Sequence, residues 1–398
     1  MSKTIGQVCS RFSSGKSIKS EQINSTGLYP VYGGNGLRGY TDTYNFDGEC
    51  VIIGRQGAYC GNVRYYFGKA YMTEHAIVAC ANADNCTAFL SYKLSSMNLS
   101  QYQGQSAQPG LSVTTLSKVP ITLPDYDTQC RIAKILSTID AKISNNNRIN
   151  AELESMAKTI YDYWFTQFDF PDENGKPYKS SGGKMVWNEE LKREIPEGWG
   201  IKKLDEFSKV ITKGTTPSTL GGEFVDKSNI SFIKVESIEN GFINGDISYI
   251  SEKTQELMQR SKLEENDILI TIAGRLGSVC VVPDFVLPAN TNQAVAIVRL
   301  LDKDLVWFLR ASMMSDENKY YYANVNAQSI QKNLNLPNVG NTKIMCDNEL
   351  KYADLYNKKV NSIYKKINSN IQQNQQLSSL RDWLLPMLMN GQVGFEGE

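Results

Sequence analysis

The sequence predicts an α+β protein built twice over, in which two globular mixed α/β segments alternate with two long helices. Three observations predict it. An apolar seam with 4-3 spacing runs through residues 127–165. A matching seam lies 224 residues further on. The segments ahead of the two seams share a strand-then-glycine-turn motif at an offset of 220. A chain of 398 residues is also too long for one ordinary core, and two to three domains are expected.

The first seam reads Ile132, Leu136, Ile139, Ile143, Asn146, Asn150, Leu153, Ala157, Ile160, Trp164. This is the a/d pattern of a coiled coil. The second reads Tyr356, Val360, Ile363, Ile367, Asn370, Asn374, Leu377, Arg381, Leu384, Leu388. Pro386 lacks a backbone donor, so this helix is expected to end or kink just before Leu388. Asn146 and Asn150 recur as Asn370 and Asn374. A buried Asn in an apolar seam costs stability and fixes register, because it needs a polar partner. Four Asn at matching steps point to pairing of the two helices with each other. Pairing of each with a second copy of the chain is the alternative.

In the globular segments Gly54-Arg55-Gln56-Gly57 matches Gly274-Arg275-Leu276-Gly277, each after a short apolar run. Ala107-Gln108 matches Ala327-Gln328. The expected organisation is a globular domain over 1–124, a spacer helix over 125–167 and a linker over 168–199. A second globular domain over 200–345, a second spacer helix over 346–388 and a tail over 389–398 follow. Trp187, Ile195 and Trp199 are the expected anchors of the Gly/Pro-rich linker.

Bulk chemistry narrows the function. Net charge is zero, which argues against a non-specific polyanion coat while leaving room for local patches. Residues 1–122 carry ten Lys/Arg against six Asp/Glu. No apolar leader or membrane-length run is visible, and the eight scattered cysteines form no C-x-x-C pair. Reduced thiols in a cytoplasmic protein, packed as small hydrophobes, are expected. His75 is the single histidine, so no Ser/His/Asp or Cys/His constellation can be assembled. Ser13-Ser14-Gly15-Lys16-Ser17 has the end of a phosphate-binding loop but has Ser10 where its first glycine belongs. Neither an Asn-Pro-Pro-aromatic motif nor a dinucleotide-binding glycine motif is present. No catalytic residue and no metal ligand is expected.

What is present suits readout of DNA. Tyr32-Gly33-Gly34-Asn35-Gly36-Leu37-Arg38-Gly39-Tyr40 reads as a hairpin turn and as a contact loop, since Asn and Arg pair with adenine and guanine edges. Arg55 and Arg275 occupy the same place in each repeat. A shared role suits backbone positioning or fold more than base reading, which should differ between halves. Gln56 against Leu276 is a place where they differ. Lys213-Gly214-Thr215 is a second polar glycine turn. Tyr320-Tyr321-Tyr322 reads equally as a stacking surface and a helix edge. Candidate DNA contacts are Lys16, Tyr32, Asn35, Arg38, Arg55, Gln56 and Gln108 in the first half. In the second half they are Lys213, Thr215, Arg275, Asn292 and Gln328.

The order of these segments, with LPDYDTQCRIAKILSTIDAKISNNNRINAELESMAKTIYDYWFTQFDF, then WNEELKREIPEGWGIKKL and GTTPS, resembles the specificity subunits of type I restriction-modification systems. Tyr29-Pro30-Val31-Tyr32-Gly33-Gly34-Asn35-Gly36 resembles a frequent opening of their first recognition domain. Arg381 and Pro386 stand where the first helix has Ala157 and Asp162. The resemblance implies two target recognition domains, each reading one half of a split, asymmetric site in double-stranded DNA. It implies two helices packed antiparallel as a spacer, in a pseudo-twofold duplicated frame. It also implies docking of two methyltransferase subunits and of restriction subunits, with S-adenosylmethionine, ATP and Mg held by those partners and no cofactor held by this chain. A helix from Ile132 to Trp164 spans roughly 50 Å, a length suited to a ruler between half-sites. A coiled-coil scaffold for proteins, a specificity protein of another restriction-modification type, and a self-contained nuclease or methyltransferase are the competing classes.

Overall fold

The computed structural model describes residues 3–57, 59–104, 110–325 and 333–394. The chain divides into two compact units. Residues Met1–Asn145 with Asn374–Glu398 form the first, and Asn146–Gln373 form the second. The division differs from the segment boundaries drawn on the sequence, because each long helix contributes one part of its length to each unit.

The first unit holds strands β1 (Cys9–Ser14), β2 (Tyr29–Gly33), β3 (Gly36–Thr41), β4 (Phe46–Gly54), β5 (Val63–Met72) and β6 (Ala76–Ala81). They form one sheet in the order β1-β6-β4-β5-β2-β3. All neighbours are antiparallel except β2 and β5. Side chains alternate along a strand, and the cores follow that period. Val51, Ile53, Ile77 and Ala79 enter one cluster, while Cys50, Ile52 and Val78 enter another. Apolar residues on both faces explain why Cys50–Ile53 of β4 and most of β6 read as hydrophobic runs. Helix α1 (Thr87–Ser96) packs Phe89 with Ile132, Ala133 and Leu136 of helix α2 (Tyr126–Tyr161).

The second unit holds β7 (Ser208–Lys213), β8 (Phe224–Val225), β9 (Ser231–Ile233), β10 (Ser248–Ile250), β11 (Ile268–Thr271), β12 (Val279–Val281), β13 (Ala289–Thr291) and β14 (Val295–Leu300). These form two sheets, β7-β14-β11-β12 and β8-β10-β9-β13. Helix α3 (Val306–Met313) follows, and helix α4 (Lys351–Met389) is the last element among the described residues. The alternation recurs. Ile268, Ile270, Ala296 and Val298 face one core, and Leu269, Val295 and Ile297 face the other.

The two sheet frames are counterparts strand by strand. The order β1-β6-β4-β5 matches β7-β14-β11-β12. A β-bulge between Cys9 and Arg11 recurs between Ser208 and Val210, 199 residues on. The parallel pair of β2 with β5 recurs as β9 with β13. The ten-residue β5 is replaced by the two short strands β12 and β13. Pro283 and Pro288 lie between them, and proline cannot donate to a central ladder. One sheet therefore becomes two.

In the long helices, all twenty seam positions are buried or half-buried. In the first unit, Leu136 clusters with Leu388, and Arg381 Nη1 donates to Asp140 Oδ1 at 2.9 Å. In the second, Tyr356 Oη donates to the Ala157 carbonyl, and Asn370 to Asn150. As one residue number rises its partner's falls, so the strands of the coil run antiparallel.

Two expectations are corrected. Helix α4 continues through Pro386 to Met389. A proline in the last turn forfeits one hydrogen bond, and its own carbonyl still accepts from Asn390. In the linker, Ile195 and Trp199 are buried in the second unit's core, but Trp187 is 57% exposed. It stands on the hairpin Met185–Asn188/Arg193–Pro196, and Phe168 and Phe170 supply the anchoring in its place.

Candidate nucleic-acid interface

In the first unit, β2 and β3 join through the two-residue tip Gly34–Asn35, closed by the pair Gly33–Gly36. The tip lies against the end of β4: a Cβ on Gly54 would overlap the Gly34 carbonyl. Asn35, Arg38 and Gln56 are exposed here, and Tyr32 is half-buried against Tyr66 at 5.0 Å between ring centroids. Burial raises the Tyr32 phenol above its ordinary range, so it is a neutral donor at physiological pH.

Lys16 is brought to the same end of the sheet by Gly15. A Cβ on Gly15 would overlap the Met72 carbonyl, which accepts from Lys16 N at 2.9 Å. The neighbouring Thr73 N donates to the Tyr32 carbonyl at 2.9 Å. Arg64, which the sequence reading did not single out, has its guanidinium beside Gly36. Lys16, Arg38 and Arg64 are exposed and make no ion pair among the described residues. Glu74 Oε1 lies 3.3 Å from His75 Nε2.

Arg55 has a different place. Its Nε donates to the Leu111 carbonyl at 3.2 Å and its Nη1 to the Glu74 carbonyl at 3.4 Å. Arg275 Nη2 donates to the Val235 carbonyl at 3.1 Å and to that of Ile238. Both repeat-equivalent arginines thus bind carbonyls of neighbouring segments. Gln56 is exposed, whereas its counterpart Leu276 packs on the core.

In the second unit Gly214 repeats the role of Gly15, 199 residues on. A Cβ there would overlap the Thr291 carbonyl, which accepts from Thr215 N at 3.1 Å. Met72 and Thr291 end counterpart strands, so Lys16 and Thr215 occupy counterpart positions. Lys213 is exposed beside them. Arg260 Nη2 donates to Thr215 Oγ1 at 3.3 Å, and Thr216 Oγ1 bonds Gln293. Asn292 Oδ1 accepts from Ala294 N at 3.2 Å, holding the turn ahead of β14. Arg260 and Gln293 carry no signal in the sequence, since exposed polar side chains follow no period. Tyr320–Tyr322 lie on a helix, with Tyr322 in the core and Tyr320 73% exposed. Gln108 and Gln328 fall outside the described residues.

The seam asparagines are bonded. Asn370 Nδ2 donates to Asn150 Oδ1 at 2.8 Å, and Asn146 Nδ2 to Gln373 Oε1 at 2.8 Å. Asn374 is buried. Among the described residues no group of His, Cys, Asp and Glu could hold a metal. All eight cysteines are free thiols, and burial pushes Cys9, Cys50, Cys280 and Cys346 up to about 12, which keeps them unreactive. Among the described residues no helix is long and apolar enough to cross a membrane.

A family model described as the type I restriction modification DNA specificity domain matches residues 1–155 and 196–346. The chain belongs to the type I restriction-modification DNA specificity family. The chain is 36% identical over 160 residues to the EcoprrI specificity subunit of Escherichia coli, covering 39% of this chain and 40% of that protein. It is 25% identical over 336 residues to the HindI specificity subunit of Haemophilus influenzae, covering 72% and 71%. The first match thus spans under half of its relative, the second more than two thirds. In fold, the chain is similar to the S subunit of the type I restriction-modification system of M. genitalium. There the TM-score is 0.65 at 16% identity, over 98% of this chain and 95% of that one.

Proposed function

We propose that each unit reads one half of a split, asymmetric target in double-stranded DNA. The observation that carries this reading is the repeated glycine contact. Gly15 and Gly214 bring the end of a frame strand to the same place in each fold, and exposed cations with different neighbours surround it. In the first half, Lys16, Tyr32, Asn35, Arg38, Gln56 and Arg64 form the reading surface. In the second it is Lys213, Thr215, Arg260 and Asn292. Arg55 and Arg275 hold the loops that present these residues. Gln108 and Gln328 are proposed as further contacts.

The chain itself is non-catalytic in this reading. It acts in the cytoplasm, docks two methyltransferase subunits and recruits restriction subunits. S-adenosylmethionine, ATP and Mg belong to those partners. The paired helices set the gap between half-sites, so removing one heptad from each should alter that gap.

Co-expression with the methyltransferase encoded beside it, followed by methylated-base sequencing of host DNA, tests the proposal. A split motif is expected only when both proteins are present. Methylation by either protein alone, or no motif with both, would overturn it.

A further inference from the structure

In the second unit the end of β13 gathers three segments. The carbonyl of Thr291, its last residue, accepts from Thr215 N at 3.1 Å, and Thr291 Oγ1 donates to the Ile233 carbonyl at 2.8 Å. Beside it the buried Asn290 donates to the Met258 carbonyl at 2.9 Å and to Ser261 Oγ at 3.0 Å. Those two bonds pin the chain on both sides of Arg260. Two exposed side chains are turned on this base. Arg260 Nη2 donates to Thr215 Oγ1 at 3.3 Å, and Thr216 Oγ1 donates to Gln293 Oε1. Hydroxyls of consecutive residues thus hold a guanidinium and a carboxamide that arrive from different segments.

Arg260 is set apart from the other arginines of this unit. Arg299 is tied to Asp267 and Glu264, Arg310 to Glu154, Arg148 to Glu152 and Arg193 to Glu317. Arg275 is committed to two carbonyls. Arg260 makes no ion pair among the described residues, and its guanidinium is held by a neutral hydroxyl. Most of the donor fork therefore stays free and already oriented. Gln293 likewise keeps a lone pair on Oε1 and the N–H groups of its amide. In the first unit the counterpart of Thr215 is Lys16. An ammonium has donors only, so it cannot hold a guanidinium, and it acts as a point charge on a flexible stem.

We infer that Arg260 and Gln293 are base readers of the second half-site, Arg260 taking a guanine through O6 and N7 and Gln293 an adenine through N6 and N7. A guanidinium fork and a carboxamide are the side-chain groups that match those two edges bidentately. Bidentate reading needs a fixed orientation, which is what a rigid base and an anchoring hydroxyl supply. Thr215 and Thr216 are positioning residues, since they act through the side chains they hold. Lys213, exposed and without an ion pair among the described residues, is left to contact phosphate, which sets register without reading sequence. The inference deepens the proposed function and rests on it.

The test uses the full chain with its methyltransferase partner. Methylated-base sequencing of host DNA reads how strictly each position of the split motif is kept. Arg260→Ala is expected to relax one G·C pair, with discrimination there falling roughly 5–150-fold, and Gln293→Ala one A·T pair in the same half. The other half should stay as in the parent. Arg260→Lys keeps the charge but not the fork, and should relax the same G·C pair. Thr215→Val should relax that pair by less, and should add nothing in an Arg260→Ala background. An unchanged motif with Arg260→Ala would overturn the inference, and so would an even loss of methylation with every position kept. Full specificity with Arg260→Lys, parental behaviour of Thr215→Val, or relaxation of different halves by the Arg260 and Gln293 variants would also overturn it. Absence of a split motif with the parent chain would instead overturn the proposed function.

Discussion

The two globular units share a frame and differ in nearly everything attached to it. Both have the same four-strand order, the same bulge in the first strand and the same glycine contact at its far end. The first keeps one six-stranded sheet; the second, interrupted by Pro283 and Pro288, has two sheets of four. The difference teaches which parts are held by physics and which are free. Strand order and bulge are fixed by apolar residues on two faces, where a one-residue slip would turn each side chain to the wrong core. The loops at the strand ends carry no such constraint and can diverge toward different bases.

The comparison can be broken or sharpened by substitution. The largest effect is expected at Arg310→Ala, which strands the Glu154 carboxylate that Arg310 Nη1 bonds at 3.0 Å. Breaking a buried pair costs roughly 3–5 kcal/mol. Asp140→Ala in the first unit should cost about 1 kcal/mol, since both partners there are partly exposed. Equal losses in chemical denaturation would erase the contrast between the two ion pairs. Next come Gly15→Val and Gly214→Val, each of which forces a side chain onto a carbonyl. Both should destabilise by about 1–3 kcal/mol. A large loss at one and none at the other would show that the frames are not equivalent there.

In the seam, Asn150→Leu alone leaves Asn370 without its bond, at roughly 1–3 kcal/mol. Adding Asn370→Leu should recover most of that loss in a thermal melt, with poorer register. Failure of the double variant to recover would mean that the pair is not the unit of the interaction. The smallest effects are on DNA affinity. Arg38→Ala and Lys213→Ala should each lower the slope of log affinity against log salt by about 1. An unchanged slope at either would remove that residue from the phosphate contacts.

Much of the frame was legible in the sequence. The 4-3 seam, its repeat and the asparagines gave the helix pair, because coiled-coil packing writes a strict period into the chain. The strand before each Gly-Arg-x-Gly turn was legible for the same reason. The sheet correspondence was not, because the repeat offset drifts from 199 at the first strand to 219 at α1 and α3 and 224 in the helices. A search at one offset misses Gly15 against Gly214. Arg64 and Arg260 were invisible because exposed cations follow no period; only the fold brings them to the glycine ends. Pro386 misled, since the rule against proline weakens where few helical bonds remain to be lost. Trp187 misled because an aromatic residue on a short hairpin can point either way.

The central claim is that two unlike readers sit on a duplicated frame. The most direct test replaces residues 1–124 with the matching segment of a relative of different specificity, co-expresses the chimera with the methyltransferase, and sequences methylated bases in host DNA. The account predicts that one half of the split motif changes while the other half stays. A change in both halves, or in neither, would contradict it.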